Sequence, residues 1–203
     1  LLGCAAAAVL LIAALPLQNA LTVTTDHATG SVLVQKNGES FLLCGVQDGY
    51  SINALNRFLQ RCGNPRITVL AQPAEQHNLS AELRLAQLLE PEFLLCDEET
   101  ALLGEGQYPE TVELLPYCDT IRNILSDYTL YELDGVGTML QFGTQKVLKC
   151  WTGYDIITAE DIPDDVTAVI DRAGNLWLRP DCGWRLYQSG NLTITLPKED
   201  SAL

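Results

Sequence analysis

A chain of 203 residues, 47% of them hydrophobic, is long enough to bury one sizeable core and suits one domain plus an anchor. Its 26 acidic and 12 basic residues give a net charge of −14, which argues against a stand-alone nucleic-acid binder, because neutralising phosphates needs clustered Lys and Arg. Seven cysteines occur without one C-x-x-C pair, so neither a zinc ribbon nor a thioredoxin-type dithiol is signalled.

The chain opens on LLGCAAAAVLLIAALPL, seventeen residues with no charge. At about 1.5 Å per residue such a helix reaches roughly 25 Å, slightly short of a bilayer core. We read residues 1–20 as the end of a transmembrane helix whose first turn lies upstream. A signal peptide would need a basic start and a better cleavage site than Gln18-Asn19-Ala20. A lipoprotein box would place the apolar stretch before Cys4, not after it. No Lys or Arg precedes Lys36, so the positive-inside rule puts the following domain on the extracytoplasmic side of a cell membrane.

Residues 21–25 alternate apolar and polar, as a strand does. Residues 31–35 and 40–46 flank Asn37-Gly38, a hairpin signal. The period then changes from two to about 3.6. Ile52, Leu55, Phe58, Leu59 and Cys62 line one helical face, with Ser51 as the expected N-cap and Gly63 as the stop. Arg57 and Arg61 share the opposite, solvated face. A short buried strand is expected at 67–70, a second amphipathic helix through Leu79, Leu83, Ala86 and Leu89, and another buried strand at 93–96.

Residues 97–127, with Gly104, Gly106, Pro109 and Pro116, read as loop-rich. Further strands are expected at 129–133, 138–142, 146–151, 167–170, 175–178, 185–188 and 192–196, before a disordered tail at 198–203. Asp134-Gly135-Val136-Gly137 looks faintly like a phosphate loop, but no strand–loop–helix context follows it, so it reads as a hairpin turn. Hairpins leading into βαβ units, then more hairpins, give a layered α/β sandwich in one domain at 21–197.

This order of elements resembles the metallo-β-lactamase fold, and over roughly residues 1–100 the C-terminal domain of ComEC-type competence proteins, membrane channels that import DNA. Where that family has Asp-Val-Gly-Gln-Gly, this chain has Asp26-His27-Ala28-Thr29-Gly30. A strand that ends Ile-Asp-x-Gly in the family ends Leu42-Leu43-Cys44-Gly45 here. The family's Thr-His-x-His-x-Asp-His, which holds two metal ions, is matched by Ala71-Gln72-Pro73-Ala74-Glu75-Gln76-His77. Gln72 and Ala74 thus replace two histidines, Gln76 replaces the aspartate, and His77 alone is kept. In the second half, Gly153-Tyr154-Asp155 stands for Gly-Asp and Arg172-Ala173-Gly174-Asn175 for His-His-Gly-Ser.

A hydrolytic zinc site takes about three protein ligands and an open position, and a two-metal clamp roughly twice that. The whole chain has two histidines, His27 and His77, so a dinuclear site of the usual kind is excluded by counting. We therefore name no catalytic, cofactor-binding or metal-binding residue and expect no cofactor. The resemblance implies a non-catalytic domain of a ComEC-like protein, structural or regulatory in role. The expected partners are the membrane and a channel region of the same protein, with DNA contact allowed but not supported by charge.

Two alternatives stay open. One is an active metal-dependent nuclease or phosphodiesterase using Asp26, His77, Asp155 and Asp171. The other is an unrelated membrane-anchored extracytoplasmic binding module. Asp26 reads as a cap on the 25–30 turn. Beyond Cys4, six cysteines could form three disulfides, but Cys44, Cys96 and Cys150 sit in apolar runs and read as buried thiols. Trp151, Trp177 and Trp184 lack interleaved basic residues and read as core rather than as base-stacking groups. The N-glycosylation patterns at Asn78 and Asn191 read as chance matches.

Overall fold

The computed structural model describes residues 21–36, 38–45, 48–72, 78–96, 102–116, 122–125, 128–133, 135–151, 153, 162–179, 184–188 and 192–196. The expected membrane helix at 1–20 and the tail at 198–203 lie outside these. Among the described residues no helix is long and apolar enough to cross a membrane.

The elements run β1 (Leu21–Asp26), β2 (Ser31–Lys36), β3 (Glu39–Leu43), α1 (Gly49–Arg61), β4 (Val69–Ala71), α2 (Leu79–Leu89), β5 (Phe93–Cys96) and β6 (Glu113–Pro116). There follow β7 (Arg122–Leu125), β8 (Tyr128–Leu133), β9 (Gly137–Phe142), β10 (Gln145–Cys150), β11 (Ala168–Ile170), β12 (Leu176–Leu178), β13 (Arg185–Gln188) and β14 (Leu192–Leu196). They form two seven-stranded sheets, ordered β14-β1-β2-β3-β4-β5-β6 and β13-β12-β11-β10-β9-β8-β7. The last strand returns to pair antiparallel with the first, Leu196 opposite Leu21, so the first sheet joins the two ends of the domain.

Burial explains the layers. The strands β3, β4 and β5 are short apolar runs, FLL, VLA and FLLC, as strands covered on both faces must be. One set of their side chains meets the second sheet. There Val34, Phe41, Leu43, Val69 and Leu95 pack with Leu140, Phe142, Val147 and Ile170, and the rings of Phe41 and Phe142 meet edge-on at 5.5 Å. The other set meets the helices: Leu33, Leu42, Leu70 and Leu94 pack under Ile52, Leu55, Phe58 and Leu85. A third cluster, including Met139, Leu148, Cys150 and Val169, lies on the second sheet's other face.

Local chemistry sets the boundaries. In the β2–β3 hairpin Lys36 stands opposite Glu39, with Gly38 at φ 87°. The N-cap of α1 is Asp48, not Ser51: its carboxylate accepts from the Ser51 backbone N–H at 2.7 Å, and the bonds to Ser51 hold its pKa below the ordinary value. The stop at Gly63 is as expected, with φ 84°. Asn78 caps α2.

Several strand boundaries are corrected by one to three residues. The third strand ends at Leu43, the fourth covers Val69–Ala71, and the tenth ends at Cys150. The larger correction lies in the stretch expected to be loop, which contains β6 and β7. Strand β6 adds parallel to β5 as an edge strand, with Pro116 at its end, where a missing N–H is tolerated.

Candidate functional site

Strand direction defines one edge of the sandwich as the place to search. β1 runs parallel to β3 through the antiparallel β2, and β3, β4, β5 and β6 are mutually parallel. The C-terminal ends of β1, β3, β4 and β5 therefore share an edge, which brings Asp26, Cys44, Gln72 and Cys96 to it. In the second sheet β10 and β11 are parallel, so Cys150 and Ile170 end on a common edge. The two edges coincide, because the β1–β2 turn packs against the β11–β12 turn: His27 Nδ1–H donates to the Ala173 carbonyl at 2.7 Å.

These turns are built alike, Asp26-His27-Ala28-Thr29-Gly30 against Asp171-Arg172-Ala173-Gly174-Asn175. Each begins on an aspartate that caps its own turn. Asp26, fully buried, accepts from the Thr29 N–H at 3.1 Å and the Thr29 hydroxyl at 2.7 Å on one oxygen, and from the Arg61 guanidinium at 2.8 Å on the other. Asp171 accepts from the Asn175 N–H at 2.8 Å on one oxygen, and from the Asn175 amide at 2.8 Å and the Trp177 indole N–H at 3.1 Å on the other. Each turn carries a glycine at positive φ, Gly30 at 65° and Gly174 at 83°, and these lie against the opposite turn.

Beneath the junction lies Lys149, 1% exposed. Its ammonium donates to the Asp171 carbonyl at 2.5 Å and the Arg172 carbonyl at 3.4 Å, and stands 5.0 Å from the Trp151 ring centroid. Burial pulls its pKa down to about 8. Its neighbour Cys150 is pushed up to about 12 by the same burial, so that thiol is unreactive at neutral pH.

The expected residues fall as follows. Asp26 caps its turn as anticipated, and Arg61 adds an ion pair, which corrects the reading of that arginine as merely solvated. Gln72 is buried just beyond β4. Ala74, Gln76, His77 and Asp155 lie outside the described residues, so Asp26 and Asp171 are the described members of the alternative metal set. No disulfide joins the described cysteines Cys44, Cys62, Cys96 and Cys150, and all but the half-buried Cys62 are buried. Trp151 is core, its indole N–H on the Thr138 hydroxyl, and Trp177 and Trp184 are half-buried. Val136 and Gly137 lie at a β8–β9 hairpin turn. Sequence reasoning missed His27 and Lys149. The signal for Lys149 was available: a single lysine in the apolar run Val147-Leu148-Lys149-Cys150-Trp151, where both faces of the strand are covered.

Among the described residues no three His, Cys, Asp or Glu side chains group to hold an ion. All four carboxylate oxygens of Asp26 and Asp171 already accept hydrogen bonds within the chain. What the arrangement does chemically is tie two turns, one from each sheet, to one another.

The class defined by this topology is an α/β sandwich of two mixed sheets with helices packed on the first. Its likeness to solved structures is to proteins of the metallo-β-lactamase fold. No protein-family model matches the chain, and no curated protein matches it. Among solved structures it is similar to the metallo-β-lactamase fold protein YhfI from Bacillus subtilis, at 13% identity and a TM-score of 0.46, covering 68% of this chain and 64% of that one. It is similar to a metallo-β-lactamase from Cronobacter sakazakii, a variant in its HARLDQ motif, at 13% identity and a TM-score of 0.49, covering 75% and 76%. A third is the metallo-β-lactamase from Hirschia baltica, at 12% identity and a TM-score of 0.44, covering 70% and 76%. At such distances the likenesses assign no activity to this chain.

Proposed function

We propose that the chain is a non-catalytic metallo-β-lactamase-like domain of a ComEC-like competence membrane protein involved in DNA uptake, with a structural or regulatory role. The observation that carries the non-catalytic reading is the engagement of both acids on the candidate edge. Asp26 is held by Thr29 and Arg61, and Asp171 by Asn175 and Trp177. A metal taking these ligands would have to displace an arginine and an indole.

The family part of the reading rests on the sequence: the apolar residues 1–20 running straight into β1, the Asp26–Gly30 turn, and Gln72 in the place of a histidine. The partner would be the channel region of the same protein, on the extracytoplasmic side of the membrane. A net charge of −14 gives no support to direct DNA contact.

The test is to purify the full chain in detergent, measure zinc and manganese per chain by elemental analysis before and after adding them back, and assay DNA cleavage. Metal well below one equivalent, with no cleavage, is expected. One or two tightly held ions, with cleavage abolished by His77→Ala, would replace this reading with the hydrolase.

A further inference from the structure

On the outer face of the first sheet, the seam between α1 and α2 holds two adjoining hollows of about 300 and about 700 Å³, which share Arg84 and Gln87. Ile52, Leu79 and Leu83 supply apolar walls, and Asn53, Asn56 and Gln107 join Gln87 along the trough. Among the described residues the lining contains no acid, in a chain with 26 of them. Arg84 is exposed and makes no ion pair among the described residues. Its guanidinium reaches over the start of α1, 3.3 Å from where a Cβ on Gly49 would stand, yet it does not pair with the nearby cap Asp48, which Ser51 holds.

We propose that this trough binds an extended peptide segment of a partner protein, with an acidic side chain of the peptide on Arg84. Three features select that ligand. An unpaired guanidinium offers a two-pronged donor set matched to a carboxylate. Side-chain amides each present both a donor and an acceptor, the complement of a peptide's own N–H and C=O groups. Both hollows are open to solvent along the seam, whereas a small molecule is normally held in a cavity that encloses most of its surface. This surface is formed by α1, α2 and Gln107, and the proposal is independent of whether the candidate edge is catalytic.

The test is selection of a heptapeptide display library on the immobilised full chain, with Arg84→Gln as the counter-target. Enriched peptides are expected to carry Asp or Glu at one fixed position. A synthetic peptide of the enriched sequence should lose about ten-fold in affinity for the Arg84→Gln chain. Replacing the peptide's acid by its amide should cost a similar factor, and the two changes together little more than either alone. Arg84 is exposed, so its substitution should leave the urea midpoint unchanged, and an Asn56→Ala, Gln87→Ala chain gives a second weakened surface. No enrichment, enriched peptides without an acid, or affinity within about two-fold in both variants would overturn the proposal.

Discussion

A Cβ placed on Gly30 would stand 2.4 Å from the carbonyl oxygen of Arg172, and one on Gly174 would stand 3.1 Å from the carbonyl oxygen of Asp26. Each turn thus offers a glycine to the backbone of the other. Backbone cannot swing away as a flexible side chain can, so the contact fixes the spacing between the two sheets at this edge.

Gly30→Ala meets both this clash and a φ of 65°, and should lower stability by about 2–4 kcal/mol. Gly38→Ala is the control: φ is 87°, but nothing lies within 4 Å, and about 1 kcal/mol is expected. Urea unfolding of both variants measures the difference, and equal losses would mean that the turns are not in contact.

Lys149 gives the fold a pH dependence with a definite sign. Burial depresses its folded-state pKa from 10.5 to about 8, so between those values the unfolded chain binds the proton more strongly, and stability rises with pH. Cys150 acts oppositely: its folded pKa is raised from 9.0 to about 12, so the native thiol keeps its proton longer and stability falls as pH climbs above about 9. From about pH 7 to 9 the lysine should therefore dominate this pair, contributing a rise on the order of 1 kcal/mol. Lys149→Met should flatten that rise whatever it does to overall stability, and urea midpoints across the interval report the slope.

Asp26 and Arg61 form one pair with unequal partners. The aspartate side chain is 1% exposed and the arginine 55%. Asp26→Ala removes a buried acceptor from Thr29 as well as from Arg61, and should cost about 2–4 kcal/mol. Arg61→Ala leaves Asp26 its bonds to Thr29, and solvent screens the lost pair, so about 1 kcal/mol or less is expected. Thermal melts of the two variants should separate clearly.

Thiol chemistry offers a separate check on the layers. Cys44, Cys96 and Cys150 are buried, and Cys62 is half-buried with its pKa raised by burial. Among these four, alkylation of the native chain followed by peptide mapping should label Cys62 first, and the others only once urea opens the sandwich. Rapid labelling of Cys150 would contradict the packing of β10.

Most of the fold was legible because its causes are local. Alternation or continuous apolar runs mark the strands, 3.6 periodicity marks α1 and α2, and Asn37-Gly38 and Gly63 mark their turn and stop. β13 and β14 fall where the sequence predicts them. β6 and β7 did not show, since short strands among Gly and Pro take their pairing from neighbours such as β5 and β8 rather than from their own pattern. The N-cap was misassigned by three residues because Asp48 and Ser51 are both good caps, and backbone geometry chooses between them.

By itself the sequence determined the ligand inventory of these 203 residues, two histidines among them, because counting needs no coordinates. Only tertiary structure could decide that Asp26 and Asp171, 145 positions apart, cap matching turns on one edge, and that Lys149 lies beneath them. That edge is set by the parallel directions of β1, β3 and β4 in one sheet and of β10 and β11 in the other. Strand direction and sheet order are long-range choices, made by burying both faces of each sheet at once, and no local pattern of residues encodes them.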